Sequence, residues 1–143
     1  MGRPPKKQKQ KENVLYWDVL QLFNYHFGFC PDEDAWVAYW DSLKMKKGVC
    51  RPEYPSSFGA TTFYDDKDIL DSDNVPRALV TVNSHPDITS EILASIMAHE
   101  ATHIVQDVAR KICEEKFSSE VEAYMIQYIT HALLCMHKEA HNG

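Results

Sequence analysis

The chain has 143 residues, of which 44% are hydrophobic and 25% are charged, and its formal net charge is -6 at pH 7. This length and hydrophobic content support one compact domain rather than two. Because no apolar run approaches the roughly 20 residues of a membrane span and the N-terminus lacks the apolar stretch of a secretory signal, we expect a soluble cytoplasmic protein with no membrane partner.

The start of the chain differs from the rest in charge. It contains five of the fifteen basic residues, Arg3, Lys6, Lys7, Lys9 and Lys11. We predict a disordered basic leader over 1–12 and a folded domain over 13–143. The domain itself is acidic, which argues against a nucleic-acid-binding face on its body, whereas residues 3–11 leave open a weak contact with nucleic acid phosphates.

Two helices are predicted in the first part of the domain. Residues 13–27 are rich in apolar side chains and are followed by Gly28, which indicates a helix that ends there. Pro31 and the three acidic residues after it suit the start of a second helix, and three lysines before Gly48 suit its end. Apolar residues at helical spacing predict the buried face of this second helix, Trp36, Val37, Trp40 and Leu43.

The middle of the chain has the composition of loops and strands. Pro, Ser and Gly between 49 and 59 indicate a loop, and two short β-rich runs follow at 60–64 and 78–82. Two long helices are predicted after them, over 90–113 and 118–137. The order of these elements predicts an α+β fold, a mostly helical single domain with a small sheet.

The first long helix carries a metal-binding pattern. His99, Glu100 and His103 form the motif HExxH, in which two imidazoles one turn apart can hold one zinc ion. The glutamate can take a proton from the zinc-activated water and pass it to the leaving amine. Thr89 or Ser90 can cap this helix, and the spacing of its apolar residues predicts that both histidines point toward the core.

A third protein ligand is expected, because catalytic zinc sites commonly use three and leave one position open. The second long helix offers Glu120 and Glu122. These two side chains project from different faces of the helix, so periodicity does not choose between them.

The two helices together resemble the gluzincin branch of the zincin metallopeptidases. The resemblance is specific at 99–103, with the sequence HEATH, and at 120–123, with the sequence EVEA. At the level of element order it covers roughly 60–135. Family members have a small sheet whose edge strand runs along the cleft above the zinc, and residues 78–82 are our candidate for that strand.

The resemblance implies a ligand set. It makes His99, His103 and Glu120 the ligands of Zn2+ and Glu100 the catalytic base, with Glu122 as the fallback ligand. The chain departs from the family pattern at Tyr124, where members often have Asp or Asn that orients a ligand histidine. The candidates to replace that group are Asp107 and Gln127.

The resemblance also implies an activity, zinc-dependent hydrolysis of peptide bonds with Glu100 as general base. The chain has no large substrate domain beside the catalytic one, so we expect a narrow range of peptide or protein substrates, bound along the edge strand by strand addition. Small stand-alone proteins with an HExxHxxQ core, which Gln106 completes here, occur in bacteriophages and mobile elements. The association suggests a phage or prophage protein that acts in the host cytoplasm.

The alternative is a non-catalytic binding protein that keeps the zincin fold. In that hypothesis zinc is structural, and the acidic surface or the basic leader holds a partner protein or nucleic acid. The intact Glu100 favours the enzyme, because a purely structural zinc site has no need of a base.

Several other residues could contribute to a site. Candidate donors to an oxyanion are Tyr124, Tyr128 and His85. The pairs His131 with Cys135 and His137 with His141 have the spacing of metal ligands on a helix. We favour a helix terminus for this C-terminal stretch, since imidazole groups are stabilised there by the helix dipole.

Overall fold

A computed structural model describes residues 14–83, 85–113 and 117–142, and the predicted leader lies outside them. The fold is a small α+β domain, as expected, with a mixed four-stranded sheet and helices on both of its faces. The strands are β1 (Tyr16–Leu20), β2 (Tyr25–Cys30), β3 (Gly59–Asp65) and β4 (Pro76–Val82). The α-helices are α1 (Glu33–Ser42), α2 (Asp66–Ile69), α3 (Ser90–Val108) and α4 (Ser119–Asn142).

The strands lie in the order β1-β2-β4-β3, so that β1 and β3 form the two edges of the sheet. β2 and β4 are parallel, and each edge strand is antiparallel to its neighbour. Alternate residues face opposite sides. One side packs on α3 and α4 through residues that include Phe27, Phe29 and Val80, and the other side packs on α1 through Leu79 and Cys30.

The helix predicted over 13–27 is wrong, since this segment forms the β1-β2 hairpin with a short 3-10 turn at Gln21–Phe23. Asn24 takes a left-handed conformation, with φ 48°, at the reversal of the chain. The segment is rich in aromatic residues, which suit strands. Pairing of β2 with the distant β4 then decides the outcome over local apolar content.

The second predicted helix is confirmed in its start and in part of its buried face. The Asp32 side chain caps α1 by accepting a hydrogen bond from the Ala35 backbone N–H at 2.8 Å, and Trp36 and Trp40 are buried. The helix ends at Ser42 rather than near Gly48. Beyond it, the backbone N–H of Lys46 donates to the carbonyl of Ile69 and not to a carbonyl one helical turn earlier, so the helix does not continue there.

Both predicted strands are confirmed, but their places in the sheet differ from the expectation. Residues 60–64 lie in β3 and residues 78–82 lie in β4. β4 is central, because it pairs with β2 on one side and β3 on the other. The expected edge strand over 78–82 is therefore corrected to β3.

The two long helices are confirmed. α3 continues through a π-helical turn at Ala109–Cys113, and α4 runs past the expected end at 137 to Asn142. The Thr89 side chain caps α3 by accepting a hydrogen bond from the Ile92 N–H at 3.2 Å, which decides between the two candidate caps. Within the described segments, no helix combines the length and apolarity needed to cross a membrane.

Candidate metal centre

The two histidines of the motif lie together on α3. Their Nε2 atoms are 3.1 Å apart, and the rings, with centroids separated by 4.7 Å, are nearly perpendicular. Both side chains are exposed, so the expectation that they point into the core is wrong. Met97, Ala101 and Ile104 take the buried face of α3, which leaves the histidines on the solvent side of the helix.

Glu100 differs from the two histidines in being buried, with 4% of its surface exposed. Its Oε1 accepts a hydrogen bond of 2.8 Å from the Thr61 hydroxyl of β3. This bond fixes the carboxylate between the edge strand and the helix. Sequence reasoning missed Thr61, although strand alternation places it on the same face as Gly59, the residue that begins β3.

The start of β3 lies unusually close to α3. A Cβ atom on Gly59 would be 2.4 Å from Cγ2 of Ile96 and 3.3 Å from Oε2 of Glu100, so only glycine fits without a shift of its neighbours. A cleft of about 340 Å³ opens here, lined by Gly59, Ser95, Ile96, His99 and Glu100. One histidine and the buried carboxylate therefore share a cavity.

The histidine pair fits two positions of a zinc site. Zinc–nitrogen bonds of about 2.0–2.1 Å in tetrahedral geometry place two ligand nitrogens about 3.3–3.4 Å apart. The observed separation of 3.1 Å between the Nε2 atoms of His99 and His103 is close to that value. Both imidazoles are also accessible to an ion from solvent.

The third ligand implied by the family resemblance is not brought to this pair. Among the described residues, no three His, Cys, Asp or Glu side chains gather closely enough to hold a metal ion, and this includes Glu120 and Glu122. Glu120 is exposed and lies nine positions before the buried Ile129. At about 100° per residue, nine positions amount to about two and a half turns and place Glu120 on the side of the helix opposite Ile129, so its side chain points away from the buried side of α4.

Asp107 does not orient a ligand histidine. It is buried, accepts hydrogen bonds from the Tyr25 hydroxyl at 2.6 Å and from Arg110 at 3.0 Å, and lies 3.6 Å from Lys111. Burial, followed by the bond to Asp107, raises the pKa of Tyr25 and keeps its hydroxyl a donor. The other candidate, Gln127, is exposed on α4.

The three candidate oxyanion donors lie in different places. Tyr128 donates to Asp18 of β1 at 2.8 Å, and Tyr124 is 64% exposed on the outer face of α4. His85 contacts the ring of Phe58 at 5.3 Å between centroids, and Phe58 directly precedes Gly59. Of the three, His85 is the one beside the segment that lines the cleft.

The C-terminal pairs do not form a second metal centre with a third donor in the part of the chain that is described. Cys135 Sγ and His131 Nε2 are 3.6 Å apart, and the rings of His137 and His141 stack at 4.1 Å. Burial, with a smaller contribution from His141, lowers the pKa of His137 to about 4.

The arrangement on α3 can bind a divalent metal ion through two imidazoles and can move a proton at a carboxylate in the same cleft. Thr61 of the edge strand holds that carboxylate by a hydrogen bond, and Gly59 lets the strand lie close to it. We compared the chain with protein-family models, curated proteins and solved structures, and none of them matches it.

Proposed function

We propose that the chain is a zinc-dependent metallopeptidase of narrow substrate range, with His99 and His103 as metal ligands and Glu100 as general base. One observation carries the proposal. The carboxylate of Glu100, buried and held by Thr61, lies in the same cleft as an imidazole of a pair spaced for zinc. A buried carboxylate in a cleft beside exposed imidazoles suits proton transfer better than it suits packing.

The roles of the residues follow from their positions. His99 and His103 would hold the zinc ion, which when bound would supply Lewis acidity toward water and a substrate carbonyl. Glu100 has its Oε1 fixed by Thr61, while its Oε2 lies toward Gly59 at the cleft. We assign to this carboxylate the proton taken from the attacking water and delivered to the leaving amine.

The edge strand supports peptide as the substrate class. Within the segments that the structure describes, β3 pairs with β4 alone, so its other edge is free to bind an extended chain. Strand addition satisfies the backbone of a peptide and brings its carbonyl groups along the cleft at Gly59. Esters and nucleobases have no repeated backbone donors to use such an edge.

A second candidate is a non-catalytic protein that uses the same scaffold to bind a partner. It is favoured by one observation, the lack of a third donor beside the histidine pair among the described residues. Two imidazoles alone make a weaker site than the three protein ligands of typical catalytic zinc.

Zinc content tests the metal centre. The purified full chain, equilibrated with zinc and then dialysed, is expected to retain about one zinc per chain by mass spectrometry, and His99→Ala to lose it. His131→Ala, which removes another exposed histidine from α4, is the matched control and is expected to keep the metal. Glu120→Gln is also expected to keep it, because that side chain does not form a three-donor cluster with the pair among the described residues.

Activity is then tested with a mixed peptide library, with cleavage products identified by mass spectrometry. Cleavage by the zinc-loaded chain that disappears in Glu100→Gln, while zinc content is unchanged, supports the peptidase. Failure of the wild type to take up zinc contradicts it. Zinc uptake without any cleavage dependent on Glu100 favours the binding protein.

A further inference from the structure

The outer face of α4 carries a regular seam of side chains. Glu120, Tyr124, Gln127, His131, Leu134 and Lys138 recur at spacings of four and three residues and therefore form one stripe along the helix. Five of these six residues are exposed and lie on the side of the helix opposite the buried Ile129, Leu133 and Met136, whereas Leu134 is half-buried and also packs against the core. The length of the stripe, at 1.5 Å per residue, is about 27 Å, or five turns of helix.

Large apolar side chains are exposed on the seam and beside it. Tyr124 is 64% exposed, and Val121 and Tyr128, which flank the seam on one side, are 45% and 49% exposed. A groove of about 710 Å³ lies along it, lined by residues that include Leu134 and His131. Exposed large apolar side chains that form a contiguous stripe indicate a surface that is covered by another molecule.

The order of residues along the seam is self-complementary. If a second copy of α4 runs antiparallel across a two-fold axis at the level of Ile129, each residue faces the one equally far on the other side of that level. Glu120 and Lys138 are nine positions before and after it, Tyr124 and Leu134 five, and Gln127 and His131 two. The facing pairs are therefore charge with opposite charge, apolar with apolar, and polar with polar.

We propose that α4 pairs with α4 of a second copy of this chain in an antiparallel dimer. In a two-fold dimer each contact occurs twice, so Glu120 of each copy forms an ion pair with Lys138 of the other copy, one at each end of the seam. Neither residue forms an ion pair within its own chain among the described residues. Opposite charges that face each other at both ends of a helix pair favour the antiparallel orientation, because the parallel one would place like charges together.

The proposal is independent of the metal centre. The histidine pair lies on α3 at the edge strand, whereas the seam lies on the outward side of α4. It also accounts for Glu120 in a way that zinc binding does not, since this residue faces away from the buried side of its helix.

Sedimentation equilibrium on the full chain tests the dimer. The wild type is expected to have about twice the chain mass of 16.5 kDa at micromolar concentration. Glu120→Lys and Lys138→Glu each place like charges in both end pairs and are expected to raise the dimer Kd roughly tenfold. The double variant, Glu120→Lys with Lys138→Glu, restores opposite charges and is expected to recover the wild-type Kd.

Two controls separate this interface from other effects. Glu139→Lys makes the same charge change at an exposed position about 100° around the helix from Lys138 and is expected to change the Kd much less than Glu120→Lys does. Tyr124→Ser removes seam contact without touching the ion pairs and is expected to weaken the dimer, with helix content checked by circular dichroism. A wild type that stays monomeric to millimolar concentration overturns the proposal. A dimer that is insensitive to the single variants, or that the double variant does not restore, overturns it as well.

Discussion

Two small residues of β3, Gly59 and Thr61, determine the position of the Glu100 carboxylate at the candidate site. Gly59 lets the start of β3 approach α3, and Thr61, two residues later on the same strand face, donates to the buried carboxylate of Glu100. Without the close approach, that carboxylate would lie in a wider space open to water. A buried carboxylate is tolerated only where its hydrogen bonds are supplied, and here the edge strand supplies one of them.

The contact at Gly59 predicts a loss of stability on substitution. Gly59→Ala places a Cβ 2.4 Å from Cγ2 of Ile96, a methyl group on a β-branched side chain with little freedom to move. We expect the free energy of unfolding to fall by about 1–3 kcal/mol, as in other overpacked sites, measured by urea denaturation. In an Ile96→Ala background the same substitution should cost clearly less. Equal cost in both backgrounds would show that the Ile96 contact is not the cause.

At the scale of the element, α3 does two things at once. Its inner face supplies core residues such as Met97, Ile104 and Val105, and its outer edge presents the histidine pair. The helix must therefore begin at a fixed residue, because a shift of one position would rotate the motif by about 100°. The cap at Thr89 provides that start.

Removal of the cap is expected to destabilise α3. Thr89→Ala loses the hydrogen bond to the Ile92 N–H, and we expect the free energy of unfolding to fall by about 1 kcal/mol. The matched control is Ser90→Ala, the first residue inside the helix, which should be nearly neutral. Thermal unfolding followed by circular dichroism measures both variants. Similar losses in the two would mean that the capping bond does not fix the start of α3.

At the scale of the whole molecule, α4 closes one face of the sheet with its buried side. His137 is half-buried there, its ring 5.5 Å from that of Phe29 and stacked on His141. Burial lowers the pKa of His137 to about 4, below its usual value near 6.5. At a pH between these two values, His137 is therefore neutral in the folded state and protonated in the unfolded chain.

This difference predicts a loss of stability in mild acid. Between about pH 6.5 and pH 4 the unfolded chain binds a proton at His137 that the folded chain does not, so the free energy of unfolding falls as the pH falls. His26, whose pKa burial also lowers, acts in the same direction. His137→Gln is expected to flatten the slope of melting temperature against pH in this window, whereas His131→Gln, at an exposed position, should not. An unchanged slope in His137→Gln would contradict the assignment.

The sequence by itself determined the motif at 99–103, the two β-rich runs, the two long helices and the start of α1. Each depends on local rules, namely ligand spacing on a helix, strand composition, helical periodicity and capping. Only the tertiary structure decided that 16–30 forms a hairpin, since pairing of β2 with the distant β4 stabilises strands in a segment whose apolar content we had interpreted as a helix. Likewise, periodicity shows which residues share a helix face, but the partner that packs there decides which face is buried. For this reason Glu100 is buried, whereas the two histidines and Glu120 are exposed.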